Sequence, residues 1–216
     1  MPPVPSVPPV PPMPPMPWWG LVSSMAAPVL LIGGWTVAAS IQPVPFDDIV
    51  RTISDLAARD TPYRWLMTSA LVGVGLSHVV TAYALDSAAT AGRLTQGLGG
   101  LATLLVAAFP LPSGGGSSSA HTASAAVAFV SLAVWPAFAS TRTRVPGRTL
   151  PALLGPRASA VATCTLLLTL GWFFGEQLLS GQRVGLAERV AAGAQALWPL
   201  AVVLSARRAL TQSTQT

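Results

Sequence analysis

Lysine is absent from this chain, and all 12 of its basic residues are arginine. Charge of either sign is scarce. Charged residues make up 9% of the sequence, where soluble domains carry about a quarter. About half of the residues are hydrophobic, which leaves too little polar surface to cover a water-soluble globule of this size. Cys164 is the single cysteine, which excludes an intramolecular disulfide and a cysteine metal cluster. It lies inside an apolar run and is expected to be a small packing residue. The sequence carries no Walker or dinucleotide glycine pattern and no nucleophile-elbow motif. Nor does it interleave basic and aromatic residues in a way that would stack bases, so nucleic acid is not an expected partner. No cofactor is named by any motif.

What the chain has instead is apolar runs of membrane-spanning length. They cover about 18–40, 65–85, 91–109, 121–139, 158–179 and 184–206, the third being barely long enough to cross. The fold class this implies is an all-α integral membrane bundle of six transmembrane helices in one domain, 18–208. Pro28 is expected to kink the first run or to break its hydrogen bonding locally. Residues 1–17, MPPVPSVPPVPPMPPMP, have no charge and too much proline for a helix. They form an expected extended, solvated tail, without the basic start and apolar core of a signal peptide. A short polar tail, 209–216, closes the chain. Arg93, Arg142, Arg144, Arg148, Arg157, Arg207 and Arg208 fall on one side of the spans. Arg51, Arg59, Arg64, Arg183 and Arg189 fall on the other. The bias predicts both termini in the cytoplasm of a cell-membrane protein, with the basic residues near anionic lipid.

One polar island interrupts this pattern, at 43–65, PVPFDDIVRTISDLAARDTPYRW. Asp47, Asp48, Arg51, Asp55, Arg59, Asp60 and Arg64 all fall inside it. Phe46, Ile49, Ile53, Leu56 and Ala57 recur at helical spacing, which predicts a short amphipathic helix along the outer interface. Asp47 or Asp48 caps its start after Pro45. Asp47 with Arg51, and Asp55 with Arg59, stand four apart and are expected to pair. Tyr63 and Trp65 mark the headgroup belt, as Trp18 and Trp19 do for the first run.

Ionisable residues within or beside the spans are costly to keep there, so each is a candidate. His78 lies near mid-span and is expected to bond a neighbouring backbone group or hydroxyl. His121 opens the fourth span, Glu176 ends the fifth, and Glu188 and Arg189 begin the sixth. Gly97, Gly99 and Gly100, and the Gly171–Gly175 pair in GWFFG, are expected to let helices pack closely.

The run GWTVAASIQPVPFDDIVRTISDLAA, the Arg64–Trp65 pair, His121 after a proline-ended third span, and the late GLAERV carry a resemblance. Together they resemble an uncharacterised six-helix membrane family, catalogued as domain of unknown function nine-nine-eight. The resemblance covers most of 18–208. It implies a six-helix bundle and carries over no catalytic residue. It marks Asp47, Ser54, His121, Glu188 and Arg189 as motif positions. Where an acidic residue is expected just before His121, this chain has a Gly/Ser-rich run, which weighs against a carboxylate–histidine pair there.

Three functions follow as expectations. The first is an outward-facing polar pocket of Asp47, Asp48, Arg51, Ser54, His121, Glu188 and Arg189. In it the arginines hold an anionic lipid headgroup, since guanidinium matches phosphate geometry. The second is an intramembrane lipid hydrolase. It uses either a serine triad of Ser54, His121 and an aspartate, or a metal held by His121 with Asp47, Asp48 or Glu188. The third is a structural subunit whose polar groups serve helix assembly.

Overall fold

The computed structural model describes residues 16–116, 118–141 and 151–213, with side chains as far as residue 210. Most of the proline-rich tail, the last residues of the polar tail, and Arg142, Arg144 and Arg148 lie outside them. Every regular element among the described residues is helical. They are α1 (Trp18–Ser40), α2 (Ile53–Leu56), α3 (Arg64–Ala84), α4 (Thr90–Ala108), α5 (Ser119–Ala139), α6 (Pro156–Leu178) and α7 (Val184–Ser213), with a single 3₁₀ turn at Ala152–Leu154.

The boundaries follow local chemistry. Pro17 is extended and α1 begins directly after it. Pro156 opens α6, where its missing N–H costs nothing. The Ser118 side chain accepts from the His121 N–H and caps α5. α1 runs unbroken through Pro28.

Five helices, α1, α3, α5, α6 and α7, are long and apolar enough to cross a membrane. α4 is not among them; it carries Arg93, Gln96 and several glycines. In packing, however, α4 is the equal of the others. α1 packs on α3, α3 on α4, α4 on α5, α5 on α6, α6 on α7, and α7 returns to α1. The six long helices therefore close a ring. Large apolar side chains such as Val29, Leu94, Val161 and Leu168 face outward, while His78, Gln96, Glu188 and Gln195 are buried. This inverts the order of a soluble protein and suits a hydrocarbon surround.

Glycine sets the approach of α3, α4 and α5. A Cβ on Gly75 would stand 2.8 Å from the Gly100 carbonyl oxygen, and one on Gly100 2.7 Å from that of Gly75. A Cβ on Gly99 would meet Leu132 Cγ at 2.6 Å. Three expectations need correction. Among the described residues a methyl added at Gly171 or Gly175 would meet nothing within 4 Å, so neither glycine packs against another of the described helices. Cys164 is exposed on α6 and is not a packing residue. The amphipathic helix shrinks to the single turn α2, with Ile53, Leu56 and Ala57 buried but Ile49 53% exposed.

Gly100→Ala should lower stability by about 1–3 kcal/mol, because backbone blocks the new methyl. Gly171→Ala should leave stability unchanged or slightly raised. Thermal unfolding in detergent micelles compares the two.

Candidate functional site

The segment between α1 and α3 is held by its own carboxylates first. Asp47 Oδ1 accepts from the Ile49 and Val50 amides at 3.0 and 3.2 Å, and the Arg51 amide donates to the Asp47 carbonyl at 2.8 Å. Asp47 therefore caps a turn and not the helix start expected of it. Thr52 and Asp55 form a reciprocal capping box at the start of α2. The Thr52 amide donates to Asp55 Oδ2 at 2.7 Å, and the Asp55 amide to Thr52 Oγ1 at 3.1 Å. With both carboxylates spent on backbone, the expected Asp47–Arg51 and Asp55–Arg59 pairs do not form. The Arg51 guanidinium lies instead 4.3 Å from the centre of the Phe46 ring.

The first turns of α7 hold the segment from outside. Arg189 Nη1 donates to the carbonyls of Asp48, Arg51 and Gly185 at 2.9, 2.8 and 3.0 Å. Its Nη2 donates to Asp48 Oδ1 at 2.5 Å, which is also an ion pair. The Leu186 amide donates to the Ile49 carbonyl at 3.0 Å. The Glu188 carboxylate accepts from the Ile53 amide at the start of α2. Gly185 is required where it stands, since a side chain there would land on the Arg51 carbonyl.

A third segment joins at the same end. The Arg59 amide donates to the Leu111 carbonyl at 3.1 Å, and the Gly114 amide to Asp60 Oδ2 at 2.7 Å. That Gly114 bond, with the residue's own backbone amide, holds the exposed Asp60 carboxyl below its ordinary value. His121, at the start of α5, faces inward from this loop. Its Nδ1 lies 2.8 Å from the Phe109 carbonyl and its Nε2 3.2 Å from Ser54 Oγ. A carbonyl only accepts, so Nδ1 carries a hydrogen. In the neutral ring Nε2 is then the acceptor, and the Ser54 hydroxyl donates to it. The Ser54 hydroxyl, the His121 ring and the Phe109 carbonyl thus stand in line.

The seven residues singled out from the sequence sit at one end of the bundle, in two clusters. Ser54, His121 and Glu188 form one; Asp48, Arg189 and the Arg51 backbone form the other, with Asp47 closing the turn beside it. No group of three or more His, Cys, Asp and Glu side chains converges as metal ligands among the described residues. His121 therefore does not gather Asp47, Asp48 or Glu188 into a metal site. The oriented histidine owes its position to the Phe109 carbonyl, which no side-chain pattern could announce. The Thr52–Asp55 box is visible in the sequence as a Thr-x-x-Asp spacing. Gln96 and Gln195, buried polar residues in two apolar runs, are further signals that the sequence carries and that ionisable residues alone do not reveal.

Taken together, the apolar exterior and buried polar interior define a helical membrane protein. The family comparison makes that specific. The family described as "Protein of unknown function (DUF998)" matches residues 25–205, and the chain belongs to it. No curated protein and no solved structure matches the chain.

Arg189→Gln should destabilise the protein by roughly 1.5–3 kcal/mol, because it strips a charged donor from several acceptors at once. Arg189→Lys should recover only part of this, since an ammonium lacks the planar fork. Thermal unfolding of the three proteins in one detergent measures both effects.

Proposed function

We propose that this chain is a six-span protein of the cell membrane with both termini in the cytoplasm, and that its polar end is a serine hydrolase site. The place of α4 in the ring supports the sixth span. An even number of spans returns both termini to one side. The arginines at the start of α4, in the 141–157 connection and at the end of α7 support a cytoplasmic assignment for that side.

The single observation behind the hydrolase reading is the Ser54 Oγ to His121 Nε2 contact of 3.2 Å, with Nδ1 anchored on the Phe109 carbonyl. In the chemistry this permits, Ser54 Oγ attacks the carbonyl carbon of an ester while its proton passes to His121 Nε2. The imidazolium then gives that proton to the leaving alcohol, and an acyl-Ser54 remains. The exposed Tyr63 and Trp65, where the connection that carries Ser54 runs into α3, support a substrate drawn from the headgroup level of the bilayer, where lipid acyl esters lie.

The anionic-headgroup reading has less support. Arg189 gives its Nη1 hydrogens and one from Nη2 to its own chain, which leaves its Nε without a partner among the described residues, and the Arg51 guanidinium lies on Phe46.

An alkyl fluorophosphonate should modify one residue, Ser54, in the protein reconstituted into lipid nanodiscs, as read by mass spectrometry of the intact chain and its peptides. Ser54→Ala should abolish the adduct. His121→Gln should slow its formation by roughly 10²–10⁴-fold while the helical circular dichroism is retained. A folded, unlabelled parent protein would remove the hydrolase reading. The same variants would then affect only stability, as a structural role requires.

A further inference from the structure

Beneath α2 the helices of the ring line a partly open cavity of about 70 Å³. Ser54 and Glu188 line it, and so do His78, Thr103 and Gln195 from α3, α4 and α7. The remaining wall is aliphatic and aromatic, including Leu31, Val74 and Phe129. This volume is under half of the ~150 Å³ that admits benzene into a dry apolar void in another protein. An acyl chain does not fit, but a few waters do. Dry cavities are apolar, whereas waters settle where buried polar groups lack partners. His78 meets that condition. It is 1% exposed, and its Nδ1 has no hydrogen-bond partner among the described residues. The hydrogen bond expected for it from the sequence is therefore not made at Nδ1.

We infer that this cavity is a water site, with His78 as a positioning residue, and that it supplies the water that clears the acylated Ser54. The inference rests on the hydrolase reading and names the co-substrate of that site. The segment over α2 is latched to α7 on one side and to the 109–114 loop on the other, so water from within the bundle reaches Ser54 without unlatching it. In the second half-reaction a cavity water attacks the acyl carbon and gives one proton to His121 Nε2. The bond from the acyl carbon to Ser54 Oγ then breaks, and the imidazolium returns that proton to Ser54. One water is consumed, one carboxylic acid leaves, and Ser54 is again a hydroxyl.

The test has two readouts on the full chain in nanodiscs. Magnetisation transfer from water to the ¹⁵N-labelled imidazole of His78, by solid-state NMR, reads the water directly. Stopped-flow release of nitrophenol from a nitrophenyl ester separates acylation, seen as a burst, from turnover. His78 should receive magnetisation from water. His78→Leu should keep the burst and slow steady turnover about tenfold, and His78→Gln, which still bonds water, should restore most of it. No water transfer to His78, or turnover in His78→Leu equal to the parent, overturns the inference even if Ser54 is labelled. A parent protein with no burst fails in the earlier reading and takes the co-substrate role with it.

Discussion

A backbone that leaves the helical path needs partners for its amides and carbonyls, and this structure is arranged around supplying them at one place. Between α1 and α3 the chain runs more than twenty residues with a single helical turn. Its carbonyls and amides cannot satisfy one another as a helix would. α7 supplies what is missing from three residues along its first turns, Leu186, Glu188 and Arg189. Arginine suits the task, since its planar fork serves several carbonyls and a carboxylate at once, whereas an ammonium is a compact point charge.

Fixing that segment is what brings chemistry-bearing groups together. The Thr52–Asp55 box and the Glu188 carboxylate set the start of α2, and Ser54 follows directly. On the facing side, the end of α4 and the cap of α5 set His121, through the Phe109 carbonyl and the Ser118 hydroxyl. Three pieces of chain distant in sequence thus define one serine–histidine contact. Below it the small residues of α3 and α4 let the helices close, with His78 enclosed next to Gly100.

Much of the fold was legible in the sequence because hydrocarbon imposes a simple rule on length and polarity. The six runs correspond to α1 and α3 through α7, and the polar break after α5 falls where the helix ends. Long-range hydrogen bonding was not legible. Helical spacing suggested a longer amphipathic helix at 46–57, but Asp48 and Arg51 give their carbonyls to Arg189, and Ile49 to the Leu186 amide, instead of to later amides of the segment. The four-apart charge pairs failed for a related reason, because Asp47 and Asp55 found nearer amides. Of the candidate site, the residues could be named from their cost in a membrane, but not their partners. Ser54 with His121 depends on where α2 is pinned, and Glu188 with Ile53 joins positions 135 apart in sequence. The Gly171–Gly175 spacing misled because a spacing shows that a close approach is possible, not that a neighbour is there.

The central claim is that α7 pins the 46–56 backbone in one conformation over Ser54 and His121. Amide hydrogen exchange of that segment, measured peptide by peptide in nanodiscs, tests it most directly. The account predicts slow exchange at Val50, Arg51, Ile53 and Leu186 in the parent protein, with protection of 46–56 lost selectively on Arg189→Gln while α3 and α5 remain protected. Exchange of 46–56 at the rate of an unstructured peptide in the parent protein would contradict it.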